Sequence, residues 1–114
     1  MPPRDWLIRI EDILEACNRI VEYVGDKTED EFNSDPRTVD AVIRNLTVIG
    51  EAAGHIPEEI AKRYPGTPWL EMRGIRNIVV HEYFGVSLPI IWKTVQDDIP
   101  SLIPLLQAIL TDNR

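Results

Sequence analysis

The sequence predicts an all-α protein, an antiparallel bundle of four main helices plus one short helix, and three observations carry that expectation. Apolar residues recur at steps of three and four through most of the chain, strand-like alternation is scarce, and Gly, Pro and Asp punctuate the stripes. A length of 114 residues, with 44% hydrophobic and 27% charged, suits one soluble domain over residues 1–114 that buries a core without staples.

The first stripe runs from Trp6 to Val24 through Leu7, Ile10, Ile13, Leu14, Cys17, Ile20 and Val21, and Gly25 is its natural stop. The stretch Asp26 to Ser34 is acidic and turn-rich, and reads as a loop between helices. Asp35-Pro36 has the form of an N-cap with proline in the first turn. It opens a second stripe of Val39, Val42, Ile43, Leu46, Ile49, Ala52 and Ala53, closed by Gly54. A short helix, about Glu58 to Tyr64, follows Pro57 and is broken by Pro65-Gly66-Thr67-Pro68. The third main helix runs from Trp69 to Val80 or His81, followed by a loop at Tyr83-Phe84-Gly85. Ser87 is placed to cap a last helix carrying Ile91, Trp92, Val95, Ile99, Leu102, Ile103, Leu106, Ile109 and Leu110, which Pro100 and Pro104 are expected to bend.

Twelve Lys and Arg against nineteen Asp and Glu give a net charge of −7, which argues against a broad basic face held on nucleic acid. A small local basic site stays open, because the basic set is nine arginines to three lysines and Arg is the residue of bidentate anion recognition. One cysteine, Cys17, leaves no internal disulfide and suits a reducing compartment; its place in an apolar stripe suits a buried, inert thiol. The first ten residues carry Arg4, Asp5 and Arg9, so no signal peptide is visible. The longest uncharged run, Ile99 to Thr111, is too short to span a bilayer, and the expectation is a cytoplasmic protein with no membrane partner.

The third main helix departs from bundle chemistry. Arg73, Asn77 and His81 step by four and share one face while the helix lasts, and Arg76 stands beside that face. Two guanidiniums, an amide and an imidazole thus converge near a helix C-terminus, with Tyr83 two residues further on. Phosphodiester cleavage asks for a proton donor or acceptor that works near neutral pH, and for a fixed cation where phosphate charge develops; His and Arg supply these. An interhelical hydrogen-bond network or a solvated face would use the same residue types. Glu51, on the second stripe's helix, is in place to pair with Arg73 or Arg76, as a structural pair or as a holder of the site arginine. No Cys/His or carboxylate cluster has metal-ligand spacing, and no cofactor is expected. His55, in the Gly54-His55-Ile56-Pro57 turn, suits a helix end or the surface.

The run Arg76-Asn77-Ile78-Val79-Val80-His81-Glu82-Tyr83 matches the R-x4-H-x-Y pattern of the HEPN superfamily (higher eukaryotes and prokaryotes nucleotide-binding), and its surroundings resemble the HepT branch. Arg44-Asn45-Leu46 with Ile49-Gly50-Glu51-Ala52, Pro68-Trp69, Tyr83-Phe84-Gly85-Val86, and Ile91-Trp92 through Val95-Gln96-Asp97-Asp98-Ile99-Pro100 extend the resemblance over nearly the whole chain. The resemblance implies a homodimeric all-α ribonuclease, metal-independent, the toxin of a type VII toxin–antitoxin system, with two R-x4-H motifs meeting at the dimer interface. By the same resemblance His81 is the general acid/base, Arg76 binds the scissile phosphate of RNA, and Asn77 orients one of them; Arg73, on the reading of the residues alone, supports phosphate binding by adding to a local positive spot. Tyr83 is the hydroxyl that a minimal nucleotidyltransferase antitoxin modifies with AMP, blocking RNA by charge and bulk.

Two other classes stay open at this level. A non-catalytic nucleotide-binding or interaction module that partners a separate nucleotidyltransferase would also hold a phosphate with Arg76 and His81. A dimerising bundle with a structural polar seam is the third, and the intact motif favours the first reading over it.

Overall fold

The computed structural model describes residues 5–82 and 87–114, and the side chains of 78–82 also lie outside the description. Among the described residues every regular element is helical. Helix α1 (Asp5–Val24) buries Ile10, Ile13, Ala16, Cys17, Ile20 and Val24 on one face. It ends where Gly25 turns into the left-handed region at φ +52, a conformation that costs a residue without a Cβ nothing.

The stretch 26–34, read from sequence as a loop, contains a helix, α2 (Glu29–Asn33). The cause is a capping box. Thr28 Oγ1 accepts from the Glu31 backbone N–H at 3.2 Å, and the Glu31 carboxylate accepts from the Thr28 N–H at 3.0 Å. Phe32, fully buried, then anchors this single turn against Trp92, with ring centroids 5.3 Å apart.

Helix α3 (Pro36–Gly54) starts as its sequence implies, with the Asp35 carboxylate accepting from the Thr38 N–H at 3.3 Å and from the Thr38 hydroxyl at 2.7 Å. It buries Val39, Val42, Leu46, Ile49, Ala52 and Ala53. Helix α4 (Glu58–Arg63) is the short one. Beyond it the Tyr64 hydroxyl donates to Asp112 Oδ2 at 2.6 Å and accepts from Asn113 at 2.7 Å, fastening this corner to the end of the chain. Helix α5 (Trp69–Glu82) begins with a nearly buried Trp69 whose indole N–H donates to the Tyr64 carbonyl at 3.0 Å, so Trp69 packs the preceding loop onto the bundle.

The last helix is not one uninterrupted α-helix. It comprises α6 (Leu88–Lys93), a π-helical turn (Thr94–Asp98) and α7 (Ile99–Asn113). The widened turn, in which the Ile99 N–H reaches the Thr94 carbonyl, directly precedes Pro100, which has no N–H to give to the turn before it. Pro100 therefore sits in the first turn of α7, where the missing donor is harmless, and α7 continues through the exposed Pro104. Ser87 occupies the cap position of α6 but makes no side-chain cap bond.

In space α1 lies between α3 and α7, and α3 lies between α1 and α5. One contiguous core joins Ile13, Ile20, Leu46, Ile49, Met72, Ile99 and Leu106 among others, and Trp6 and Trp92 pack against it partly buried. Among the described residues no helix is long and apolar enough to cross a membrane.

Candidate active site on the fifth helix

Of the residues singled out from sequence, Arg73, Arg76, Asn77 and His81 fall on α5 and Glu51 on α3, the element that positions the two arginines. The two helices run antiparallel: Gly50 meets Arg76, and three residues later on α3 Ala53 meets Arg73, three residues earlier on α5. At the first of these points the backbones nearly touch. A Cβ placed on Gly50 would stand 2.7 Å from Arg76 Cβ and 2.8 Å from its backbone nitrogen, so only glycine admits this crossing.

Both arginines hook back onto α3. Arg76 Nε lies 2.9 Å from Glu51 Oε1, with the two side chains 56% and 47% exposed. Arg73 donates its Nε–H to the Ala53 carbonyl at 3.3 Å. That carbonyl, which also accepts from the Ile56 N–H at 3.3 Å, belongs to the last turn of α3, where a cation is favoured by the helix dipole. Glu51 thus meets Arg76 and not Arg73.

Asn77 is exposed on the same helix. His81 stands in the last turn of α5, and its side chain lies outside the described residues; Tyr83 lies outside them altogether.

Among the described side chains of α5, Leu70 is 75% exposed, and Glu71, Arg73 and Asn77 are exposed with it. Charge near Arg76 is also less positive than two neighbouring arginines suggest, because Glu51 neutralises part of it. Elsewhere His55 ends α3 in an exposed position and Cys17 is fully buried, which pushes its thiol up to about 12. Among the described residues no three His, Cys, Asp or Glu side chains converge as metal ligands do.

Gly50 is the residue that sequence reasoning did not single out for the site. Its signal was present: a glycine inside an amphipathic helical stripe costs about 1 kcal/mol relative to alanine, so it usually marks a close approach.

Comparison with known proteins adds a family. Residues 13–109 match the family described as "Ribonuclease HepT-like". A Thermococcus cleftensis protein named "Probable ribonuclease HepT" is 44% identical over 93 residues, covering 82% of this chain and 84% of that one. A Methanocaldococcus jannaschii protein named as a candidate RNase, MJ0127, is 40% identical over 112 residues, covering 98% of this chain and 93% of its own. One from Caldanaerobacter subterraneus, TTE0752, also named as a candidate RNase, is 38% identical over 112 residues, 98% of this chain and 97% of its own. No solved structure matches the chain.

Proposed function

The chain belongs to the HepT-like ribonuclease family, and from that premise we propose that it is a metal-independent endoribonuclease that works as a homodimer of one-domain protomers in the cytoplasm, with Arg76 and His81 as its catalytic residues. The observation that carries the reading is the placement of Arg76: a guanidinium held at a half-exposed surface on the helix that also bears His81. Arg76 binds the non-bridging oxygens of the scissile phosphate and stabilises the charge that grows on them. One His81 takes the proton from the neighbouring 2′-hydroxyl, whose oxygen attacks phosphorus. The second protonates the departing 5′-oxygen, leaving a 2′,3′-cyclic phosphate and a free 5′-hydroxyl.

Two-fold assembly fits the chemistry, since cleavage asks for one base and one acid and a partner copy supplies the second His81. Asn77 orients the phosphate or the imidazole, and Arg73 adds to the local positive potential. In this reading the enzyme is the toxin of a toxin–antitoxin pair, silenced when a nucleotidyltransferase transfers AMP to Tyr83, two residues past His81.

The test is cleavage of single-stranded RNA by purified protein in the presence of a chelator, beside Arg76→Ala and His81→Ala. Wild type should leave cyclic-phosphate ends, and each variant should lose at least about a hundredfold in rate. Equal background cleavage by all three proteins refutes the reading. Mass spectrometry of protein co-expressed with the adjacent nucleotidyltransferase gene should find the added AMP on Tyr83, and an unmodified Tyr83 removes the regulatory part.

A further inference from the structure

We infer that Gly50 and Glu51 are a positioning pair for Arg76, Gly50 setting where its backbone stands and Glu51 setting which way its guanidinium faces. The inference rests on the ribonuclease reading of Arg76. It starts from two adjacent residues on one helix that address two different parts of the same side chain. At Gly50 the α3 backbone comes so near that a methyl group would stand 2.7 Å from Arg76 Cβ and 3.1 Å from its Cα, which fixes the root of the side chain. One residue on, the Glu51 carboxylate lies at the Nε edge of the guanidinium, 2.9 Å away. An arginine presents its donors in a rigid planar fork. The contact is an ion pair and not a directed N–H···O bond: a carboxylate 2.9 Å from Nε draws that edge of the plane toward α3 by charge, and the two Nη nitrogens remain the fork's donors for a second anion.

The arrangement is unlike a device for stability. Both partners are about half exposed, where an ion pair is screened and worth little to the fold. Glu51 also carries the wrong charge for an RNA site, and it weakens the attraction of Arg76 for phosphate. A carboxylate in that place lowers affinity for the ground state, and it helps catalysis only by holding the fork where the transition state needs it. The two effects separate in kinetics: orientation acts on kcat, and charge acts on KM.

Single-turnover and steady-state cleavage of an RNA oligonucleotide in chelator, with wild type, Glu51→Ala, Glu51→Gln, Arg76→Ala and the Glu51→Ala/Arg76→Ala double variant, tests this. Glu51→Ala should lower kcat between about tenfold and a hundredfold while KM stays equal or falls. Glu51→Gln, which keeps the length and removes the charge that draws the guanidinium edge toward α3, should lose kcat as Glu51→Ala does. In the Arg76→Ala background the loss of Glu51 should change nothing further, because it acts through Arg76. Gly50→Ala should lower kcat in the same direction, and should it fail to fold the Glu51 series decides alone. Full kcat in Glu51→Ala, with Arg76→Ala inactive, overturns the positioning pair and leaves the ribonuclease reading standing. An equal loss on removing Glu51 from the Arg76→Ala protein overturns it too. Undiminished cleavage by Arg76→Ala overturns both.

Discussion

Replacing Gly50 by alanine sets two effects of opposite sign against each other, and the structure decides which wins. In a helix interior the exchange ordinarily stabilises by about 0.5–1 kcal/mol, because glycine loses more backbone freedom on folding. At Gly50 the added methyl meets Arg76 Cβ at 2.7 Å and Arg76 N at 2.8 Å. Reaching an ordinary contact of about 3.5 Å requires α3 and α5 to separate by about 0.8 Å. Backbone cannot swing aside as a side-chain tip can, so the strain belongs in the upper part of the 1–3 kcal/mol typical of overpacking. After the propensity gain the net loss is about 1.5–2 kcal/mol.

Gly74, on α5, is the control: a Cβ there meets nothing within 4 Å. Gly74→Ala should therefore show the propensity gain alone, about 0.5–1 kcal/mol of stabilisation. Urea unfolding followed by circular dichroism, at one fixed protomer concentration, reads both. At about 4 °C per kcal/mol, Gly50→Ala should melt roughly 6–8 °C below wild type and Gly74→Ala about 2–4 °C above it. A Gly50→Ala protein as stable as wild type, with Gly74→Ala behaving as expected, refutes the tight crossing and the account of how α3 places Arg76.

Two further outcomes follow from the core. Burial raises the Cys17 thiol from an ordinary value near 9 to about 12, so the native state keeps its proton where the unfolded chain has released it. That contribution is complete below about pH 9 and disappears as pH climbs toward 12; Cys17→Ala should show a shallower alkaline loss of stability, and parallel limbs would contradict the burial argument. Phe32→Ala empties the fully buried anchor of α2 against Trp92 and should cost about 3 kcal/mol with a red shift of tryptophan emission, whereas a loss below about 1 kcal/mol would mean that α2 adds nothing to the core.

What could be read from the sequence divides along physical lines. The long helices α1 and α3 were legible because each buries one face and ends on a residue with a local reason to stop or start, Gly25 and Asp35-Pro36. Helix α2 was hidden by composition: charge dominates 26–34, and the Thr28-x-x-Glu31 box takes effect only because Phe32 has Trp92 to pack against, sixty residues on. The π turn had no periodic signature, since its cause is the loss of one donor at Pro100. At the site, spacing placed Arg73, Arg76, Asn77 and His81 on one helix. It could not choose between Arg73 and Arg76 as the partner of Glu51, because that choice is made by the depth at which α3 and α5 cross.

Helix α5 packs mainly on α3 and faces the π turn and α7 across a cavity lined by Met72, Gly74, Ile75, Thr94, Asp98 and Leu102, with Leu70, Glu71, Arg73 and Asn77 exposed. A helix with one close seam and one open one separates at less cost than α1, which α3 and α7 enclose. Amide hydrogens of α5 should therefore exchange with solvent through a local excursion that leaves the rest of the fold closed. In the homodimer proposed above, a partner settling against those exposed residues closes that route. The exchange rate of this one helix would then be a gauge of assembly, slowing as protein concentration rises while the rate of α1 stays where it was.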